Sequence, residues 1–373
     1  MTSAEPSGLA AVFKKSAISA RQASPLAPKI ALGRCVLYIT ILGTTAPPVG
    51  VVTKNTDTSS MPNEPNNLIR LLQQNISRVV LGKDDAVRLA VVALLAGEHV
   101  LLEDVPGVGK TLVGKAIARS LAGEFHRIQF TPDLLPADIT GSSLYNSQTH
   151  EFVFSPGPIF ANIVLADEIN RATPRTQSAL LESMSERQVS ADSQTHPLPR
   201  PFMVIATQNP VEFEGTYPLP ESQLDRFLLR IPLGYPRRDV ELQVLTSHRE
   251  GEPVDSLGPA VDCEQVERLQ AAVREVPVED SINDYLMDIV EATRRCNELH
   301  LGASTRGALA LYRASQAAAL VDGRTYVVPD DVKQLAVPVL AHRVIPKGYL
   351  HGSQREVVES LIERLVDDVP VPG

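Results

Sequence analysis

Lys110 and Thr111 end a turn that reads Asp104-Val105-Pro106-Gly107-Val108-Gly109-Lys110-Thr111. A short apolar run, 100–102, precedes it, and apolar residues return at helical spacing at Leu112, Ala116 and Ile117. Strand, glycine-bearing turn and helix in that order form a cradle for a polyphosphate. The backbone N–H groups of the stretch 104–112 point inward and the helix N-terminus adds its partial positive charge. Lys110 then reaches the β- and γ-phosphates, and the Thr111 hydroxyl holds Mg²⁺. Asp104 stands where the G-x-x-x-x-G-K-[ST] pattern has its first glycine. Aspartate tolerates left-handed backbone better than most residues, so the pattern survives the exchange.

A pair of carboxylates completes the chemistry. Ile163, Val164, Leu165 and Ala166 read as a buried strand, and Asp167 and Glu168 stand at its end. The first belongs on the Mg²⁺ shell, and the second is positioned to polarise an attacking water. A further apolar strand, 201–206, runs into Thr207-Gln208-Asn209-Pro210. Asn209, on the strand beside the carboxylates, can orient that water; Asn-Pro is equally a common turn. Upstream, residues 79–82 either close over an adenine, with Val80 as the contact, or form a packed turn.

Strands and helices must alternate to hold these groups. Leu68, Ile69, Leu72 and Ile76 make one helical face, and Asp84 or Asp85 caps a helix running through Leu94. Residues 126–130 read as the second strand. A long insertion, 131–160, contains a hairpin pairing 143–145 with 151–154, and a second hairpin spans 188–198 with its turn near Asp192 and Ser193. Between them lies an amphipathic helix, 174–186, and a last strand covers 227–231. After Arg237 strand signals mostly vanish. Ile282, Leu286, Ile289 and Val290 form one helical face, and Val357, Val358, Leu361, Ile362, Leu365 and Val366 another. Gly323 suits a helix end, and Pro329 with Asp330 and Asp331 a helix start.

The chain has 373 residues, enough for two domains, with 43% hydrophobic and 21% charged residues as in ordinary globular proteins. A net charge of -9 and a pI near 5.5 give no electrostatic reason to bind nucleic acid or an anionic membrane. Cys35, Cys263 and Cys296 form no C-x-x-C pair, which indicates a reducing compartment. The eight histidines include no H-E-x-x-H, which argues against zinc. Residues 1–62 are rich in Ser, Thr, Ala and Pro, and their apolar patch, 35–42, is too short to span a bilayer. A basic region, that patch and Gly-Thr-Thr-Ala faintly resemble a signal peptide, although the apolar run comes late. The preferred reading is a disordered leader, or a start assigned upstream of the true one at Met61.

Five motifs taken together resemble the MoxR family of AAA+ ATPases, in the helix-2-insert clade. They are the loop 104–111, Gln-Phe-Thr-Pro-Asp-Leu-Leu-Pro-Ala-Asp-Ile-Thr-Gly (129–141), Asp-Glu-Ile-Asn-Arg-Ala (167–172), Ala-Thr-Gln-Asn-Pro (206–210) and Leu-Asp-Arg-Phe (224–227). The resemblance covers residues 65–370. It implies an α/β P-loop core at 63–235, with a five-stranded parallel sheet in order 5-1-4-3-2, and an all-helical lid at 236–373. The insertion would be the clade's extra module, Asn209 sensor 1, and Arg226 an arginine finger reaching a neighbouring subunit's nucleotide. Gly302-Ala303-Ser304-Thr305-Arg306-Gly307 resembles sensor 2, with Thr305 and Gly307 in place of Pro and Ala. Arg306 would then return to the γ-phosphate, or else serve as a structural arginine. Arg171 and Arg175 follow the carboxylates, and Arg171 touches the interface or nucleotide, or forms a salt bridge.

The implied protein is a cytoplasmic, hexameric ATPase that uses ATP and Mg²⁺ to remodel or mature partner proteins. A von Willebrand factor A-domain protein is the implied partner, and neither nucleic acid nor stable membrane insertion is expected. The motor subunit of a metal-chelatase complex and a P-loop kinase or transferase are the alternatives. A nucleic-acid motor is opposed by the acidic balance.

Overall fold

The computed structural model describes residues 64–104, 107–191, 194–209, 215–247, 251–348 and 354–372, which lie in one compact unit. The leader, Val105 and Pro106, the turn at Asp192 and Ser193, and Pro210 lie outside the described residues.

The helix expected from Leu68 begins earlier, as α1 (Glu64–Ser77), and buries Ile69, Leu72 and Ile76. It is followed by α2 (Asp84–Ala96), which is buried over most of its surface. Neither Asp84 nor Asp85 caps it. Lys83 occupies the cap position, and its amine donates to the carbonyls of Gly234 and Tyr235 at 3.0 Å each, tying the helix start to the segment 234–235.

The sheet begins with β1 (Val100–Glu103), continues through α3 (Lys110–Ser120) to β2 (Phe125–Gln129), and enters the insertion at α4 (Pro136–Thr140). There β3 (Gly141–Asn146) pairs antiparallel with β4 (Glu151–Pro156), a longer hairpin than its apolar residues suggested. Next come β5 (Ile163–Asp167), α5 (Pro174–Glu186) and the second hairpin, β6 (Gln188–Ala191) with β7 (Gln194–Pro197). The core closes with β8 (Met203–Gln208), the short α6 (Glu221–Leu224) and β9 (Leu229–Ile231). Strand ends moved from expectation by one or two residues, as β2, β8 and β9 show.

The order β2-β5-β8-β1-β9, parallel throughout, is the expected 5-1-4-3-2 once the hairpin strands are left out of the numbering. Every residue of β5 is buried, as a strand covered on both faces requires. Alternation divides its side chains. Ile163 and Leu165, with Met203 and Ile205, face the core shared with α1 to α3. Val164 and Ala166, with Val204 and Ala206, face the core built on α5 and the insertion. The two hairpins meet where Phe154 stacks on His196, ring centroids 4.0 Å apart.

The C-terminal part comprises α7 (Arg238–Ser247), α8 (Cys263–Glu275), α9 (Asp280–Arg295), α10 (Thr305–Val321), α11 (Pro329–Leu340) and α12 (Gln354–Asp368). It is not wholly helical, because β10 (Leu299–Leu301) pairs with β11 (Ile345–Pro346). Ile282, Leu286, Ile289 and Val290 are buried as their spacing required. Of the second face, Val358, Leu361, Ile362 and Val366 are buried, whereas Val357 is 46% exposed. Gly323, at φ 79°, follows α10, and Asp331 accepts from the Val328 N–H at 2.9 Å at the start of α11.

Candidate active site

The ends of β1, β5 and β8 converge on one cleft of about 480 Å³. Ligands of open parallel sheets bind at the carboxyl ends of the strands, as here. Gly107 and Gly109 have φ of 85° and 94°, values that glycine adopts without cost, and a Cβ at either would meet open space. Lys110 opens α3 and is nearly buried. Its Nζ donates to the Asp104 carbonyl at 2.7 Å and reaches the Gln208 carbonyl at 3.5 Å. Thr111 and Leu112 follow on the cleft wall, as does Val108.

Asp104 does not stand in for glycine by adopting left-handed backbone. The described non-glycine residues with positive φ are Ala122, His150, Glu168 and Arg187. Instead its carboxylate accepts from the Leu233 N–H at 2.9 Å and from the Gly234 N–H, fastening the loop to the segment after β9. Asp104→Ala would leave two part-buried N–H groups unpaired. It is expected to lower the unfolding free energy by about 1–3 kcal/mol, read by chemical denaturation.

Asp167 ends β5 and is buried. Its Oδ1 accepts from Thr207 Oγ1 at 2.5 Å, and its Oδ2 from Arg127 Nε and Nη2 at 3.1 and 2.5 Å. Thr207 in turn accepts from the Glu168 N–H at 2.8 Å, which holds Glu168 at a left-handed φ of 58°. Such a backbone persists only where its surroundings enforce it, and it is common at functional sites. The Glu168 carboxylate lies at the cleft, with Oε2 2.8 Å from Gln129 Nε2 and 3.2 Å from Arg171 Nε. Arg171 thus makes the salt bridge, and Arg175 is exposed on α5. Asn209, buried just past β8, also lines the cleft, and its carbonyl receives Asn170 Nδ2 at 3.5 Å.

Apolar residues also line the cleft, namely Val79, Val80, Leu81, Leu233, Pro236 and Val244. Val80 is buried there, so the segment 79–82 is cleft wall as well as packed turn. Apolar lining, a glycine cradle with a lysine, and side-chain oxygens in one cleft suit a nucleoside triphosphate with a divalent cation. Among the described residues no cluster of three or more His, Cys, Asp or Glu could hold a metal alone. Mg²⁺ needs none, because it is bound through one or two carboxylates, waters and substrate phosphates. Thr111 and Asp167 fit that role.

Arg226 and Arg306 are elsewhere. Both line a second cavity, of about 560 Å³, with Glu98, Asp225, Arg313 and Arg343. Arg226 Nη1 donates to the Leu181 carbonyl at 2.6 Å and to Ser185 Oγ, while its buried Nε has no hydrogen-bond partner among the described residues. Arg306 Nη1 lies 3.5 Å from Asp225 Oδ2. Arg306, near the start of α10, thus lies with Arg226 on this second cavity and not among the residues lining the cleft of Lys110 and Glu168. Sequence reasoning also missed Arg127 and Gln129, which hold the two carboxylates. Polar residues two apart at the end of a strand were the available signal.

The sheet order, the cleft and the lid define a P-loop ATPase of the AAA class. The description "ATPase family associated with various cellular activities (AAA)" matches residues 99–229, and "AAA lid domain" matches 291–364. The chain is 44% identical to Chaperone MoxR1 of Mycobacterium tuberculosis, over 80% of each chain, and 31% identical to Protein MoxR of Methylorubrum extorquens, over 80% of this chain and 94% of that one. A crystal structure of a protein from Cytophaga hutchinsonii superposes with a TM-score of 0.75 at 36% identity, covering 84% of this chain and 97% of that one. The chain belongs to the MoxR family of AAA+ ATPases. No described helix is long and apolar enough to cross a membrane.

Proposed function

We propose that this chain hydrolyses ATP with Mg²⁺, as a hexameric ring in the cytoplasm, to remodel or mature partner proteins. The observation that carries the reading is the gathering of Lys110, Thr111, Asp167, Glu168 and Asn209 in one cleft, with Arg226 outside it. Residues 63–235 form the nucleotide-binding domain and 236–373 the lid. Lys110 leaves its carbonyl partners for the β- and γ-phosphates, and the N–H groups of 107–112 hold the remaining oxygens. Val80 packs against the adenine. Thr111 and Asp167 would hold Mg²⁺, which would supply neutralisation of the charge that develops on the phosphate oxygens.

Glu168 takes the proton from the attacking water, and Asn209 fixes that water in line with the bond to be broken. Gln129 and Arg171 hold the Glu168 carboxylate until it engages. Arg226, presented by a neighbouring copy, stabilises the charge that builds on the transferred phosphoryl group. Arg306, which shares its cavity, reaches the same boundary. The chaperone naming of the mycobacterial relative supports protein clients, and a von Willebrand factor A-domain partner remains part of the proposal.

Lys110→Ala tests the cleft. It removes the charge facing the phosphates, so nucleotide affinity should fall, and hydrolysis with it, in a titration with a fluorescent ATP analogue. Unchanged affinity would refute the assignment of the cleft.

A further inference from the structure

The turn that carries Arg226 is gripped by a residue from the lid. Arg343 ends the short 3-10 turn Ala341–Arg343 after α11, and 2% of its side chain is exposed. Its Nε donates to Asp225 Oδ1 at 2.8 Å, Nη2 to the Phe227 carbonyl at 2.6 Å, and Nη1 to the Leu228 carbonyl at 3.0 Å and to that of Val339. Asp225 on one side and Phe227 and Leu228 on the other flank Arg226, while Val339 belongs to α11. The neighbouring His342 adds Nε2 at 3.0 Å from the Phe227 carbonyl. The other oxygen of the Asp225 carboxylate faces Arg306, so two lid arginines share one carboxylate.

Arg306 and Arg313 in the same cavity are 63% and 56% exposed, values typical of surface arginines. Arg343 is unlike them. Burial pulls its guanidinium down to about 10 against the opposing pull of Asp225, which still leaves it charged at neutral pH. A buried charge is costly unless every hydrogen-bond position is met. The planar fork of arginine, unlike a lysine ammonium, fits several acceptors at once. Core packing alone would not call for such a residue, because an apolar side chain of similar volume would serve.

We propose that Arg343 is the positioning residue for Arg226: it fixes the turn 225–228 to the lid, so lid position sets where Arg226 enters the neighbouring copy's nucleotide site. This rests on the reading of Arg226 as acting across a subunit boundary. Movement of α11 would withdraw or advance the finger without touching the chain's own cleft. Nucleotide binding and finger supply are then separable.

Two variants test this. Arg343→Lys keeps the charge and loses the fork. The double variant Arg343→Met with Asp225→Asn removes both charges, so that neither is left buried and unpaired. Each should keep the parent's affinity for a fluorescent ATP analogue and lose hydrolysis by about 10²-fold, the cost of misplacing a reacting group by roughly 1 Å. Mixed with Lys110→Ala chains, each should regain activity; mixed with Arg226→Ala chains, neither should. Hydrolysis at the parent rate, loss of nucleotide affinity, or recovery with both partners would overturn the proposal. The pair Lys110→Ala with Arg226→Ala separates the two ideas. If it recovers activity and the Arg343 variants with Lys110→Ala do not, the positioning role falls alone. If it fails to recover, the boundary reading and the positioning role fall together.

Discussion

Glu168→Gln should bind ATP and Mg²⁺ as the parent chain does and hydrolyse ATP about 10²–10⁴-fold more slowly, the usual contribution of a general base. The shape of the site survives the exchange. Thr207 still receives the residue's N–H, which preserves the left-handed backbone, and a glutamine carbonyl can accept from Gln129 as the carboxylate does. What is lost is the capacity to take a proton, together with the charge that pairs with Arg171. Binding of a fluorescent ATP analogue and release of phosphate, measured on the same preparation, separate the two quantities. A parent-like hydrolysis rate would remove Glu168 from the role of base.

Arg226→Ala should slow hydrolysis by about 10³–10⁵-fold, the range for a finger supplied in trans. It should leave nucleotide affinity intact, because the side chain has no place in the chain's own cleft. Its hydrogen bonds among the described residues, to the Leu181 carbonyl and Ser185 at the end of α5, are few for five donors, and its buried Nε has no hydrogen-bond partner among them. An arginine held in this way can be redirected at small cost. Hydrolysis per chain should also rise with protein concentration as the ring assembles. A constant specific rate from dilute to concentrated protein would count against it.

The parts of the fold legible in the sequence were those written locally. β5 and β8 are runs of apolar residues ending in polar ones, and the phosphate loop lies within a single strand–turn–helix. The order of the sheet came from the motif set, and the structure has that order. What escaped notice was written between distant residues. The value of Asp104 depends on Leu233 and Gly234, whose N–H groups it accepts, and nothing near Asp104 announces them. Lys83, at the start of α2, reaches the carbonyls of Gly234 and Tyr235, partners that nothing near it in the chain announces.

The surroundings of Arg306 are likewise written between distant residues. A helix start can be read from Ser304, which caps α10 through the Gly307 N–H at 3.1 Å. Which side of the core that helix packs against is a tertiary matter. Arg343 gave no local sign at all, since a lone arginine after a helix is usually exposed. Only the acceptors at 225–228 identify it.

Mixing Arg226→Ala chains with Lys110→Ala chains tests the composite site most directly. Each chain alone should be nearly inactive, the first for want of a finger and the second for want of bound nucleotide. In a mixed ring, a complete site forms wherever the intact phosphate loop of an Arg226→Ala chain faces the intact Arg226 of a Lys110→Ala chain. The account predicts that hydrolysis returns on mixing, to a level that depends on the ratio of the two chains. Activity no greater than the sum of the separate chains, in rings shown to contain both, would contradict it, as would an Arg226→Ala chain that hydrolyses ATP at the parent rate by itself.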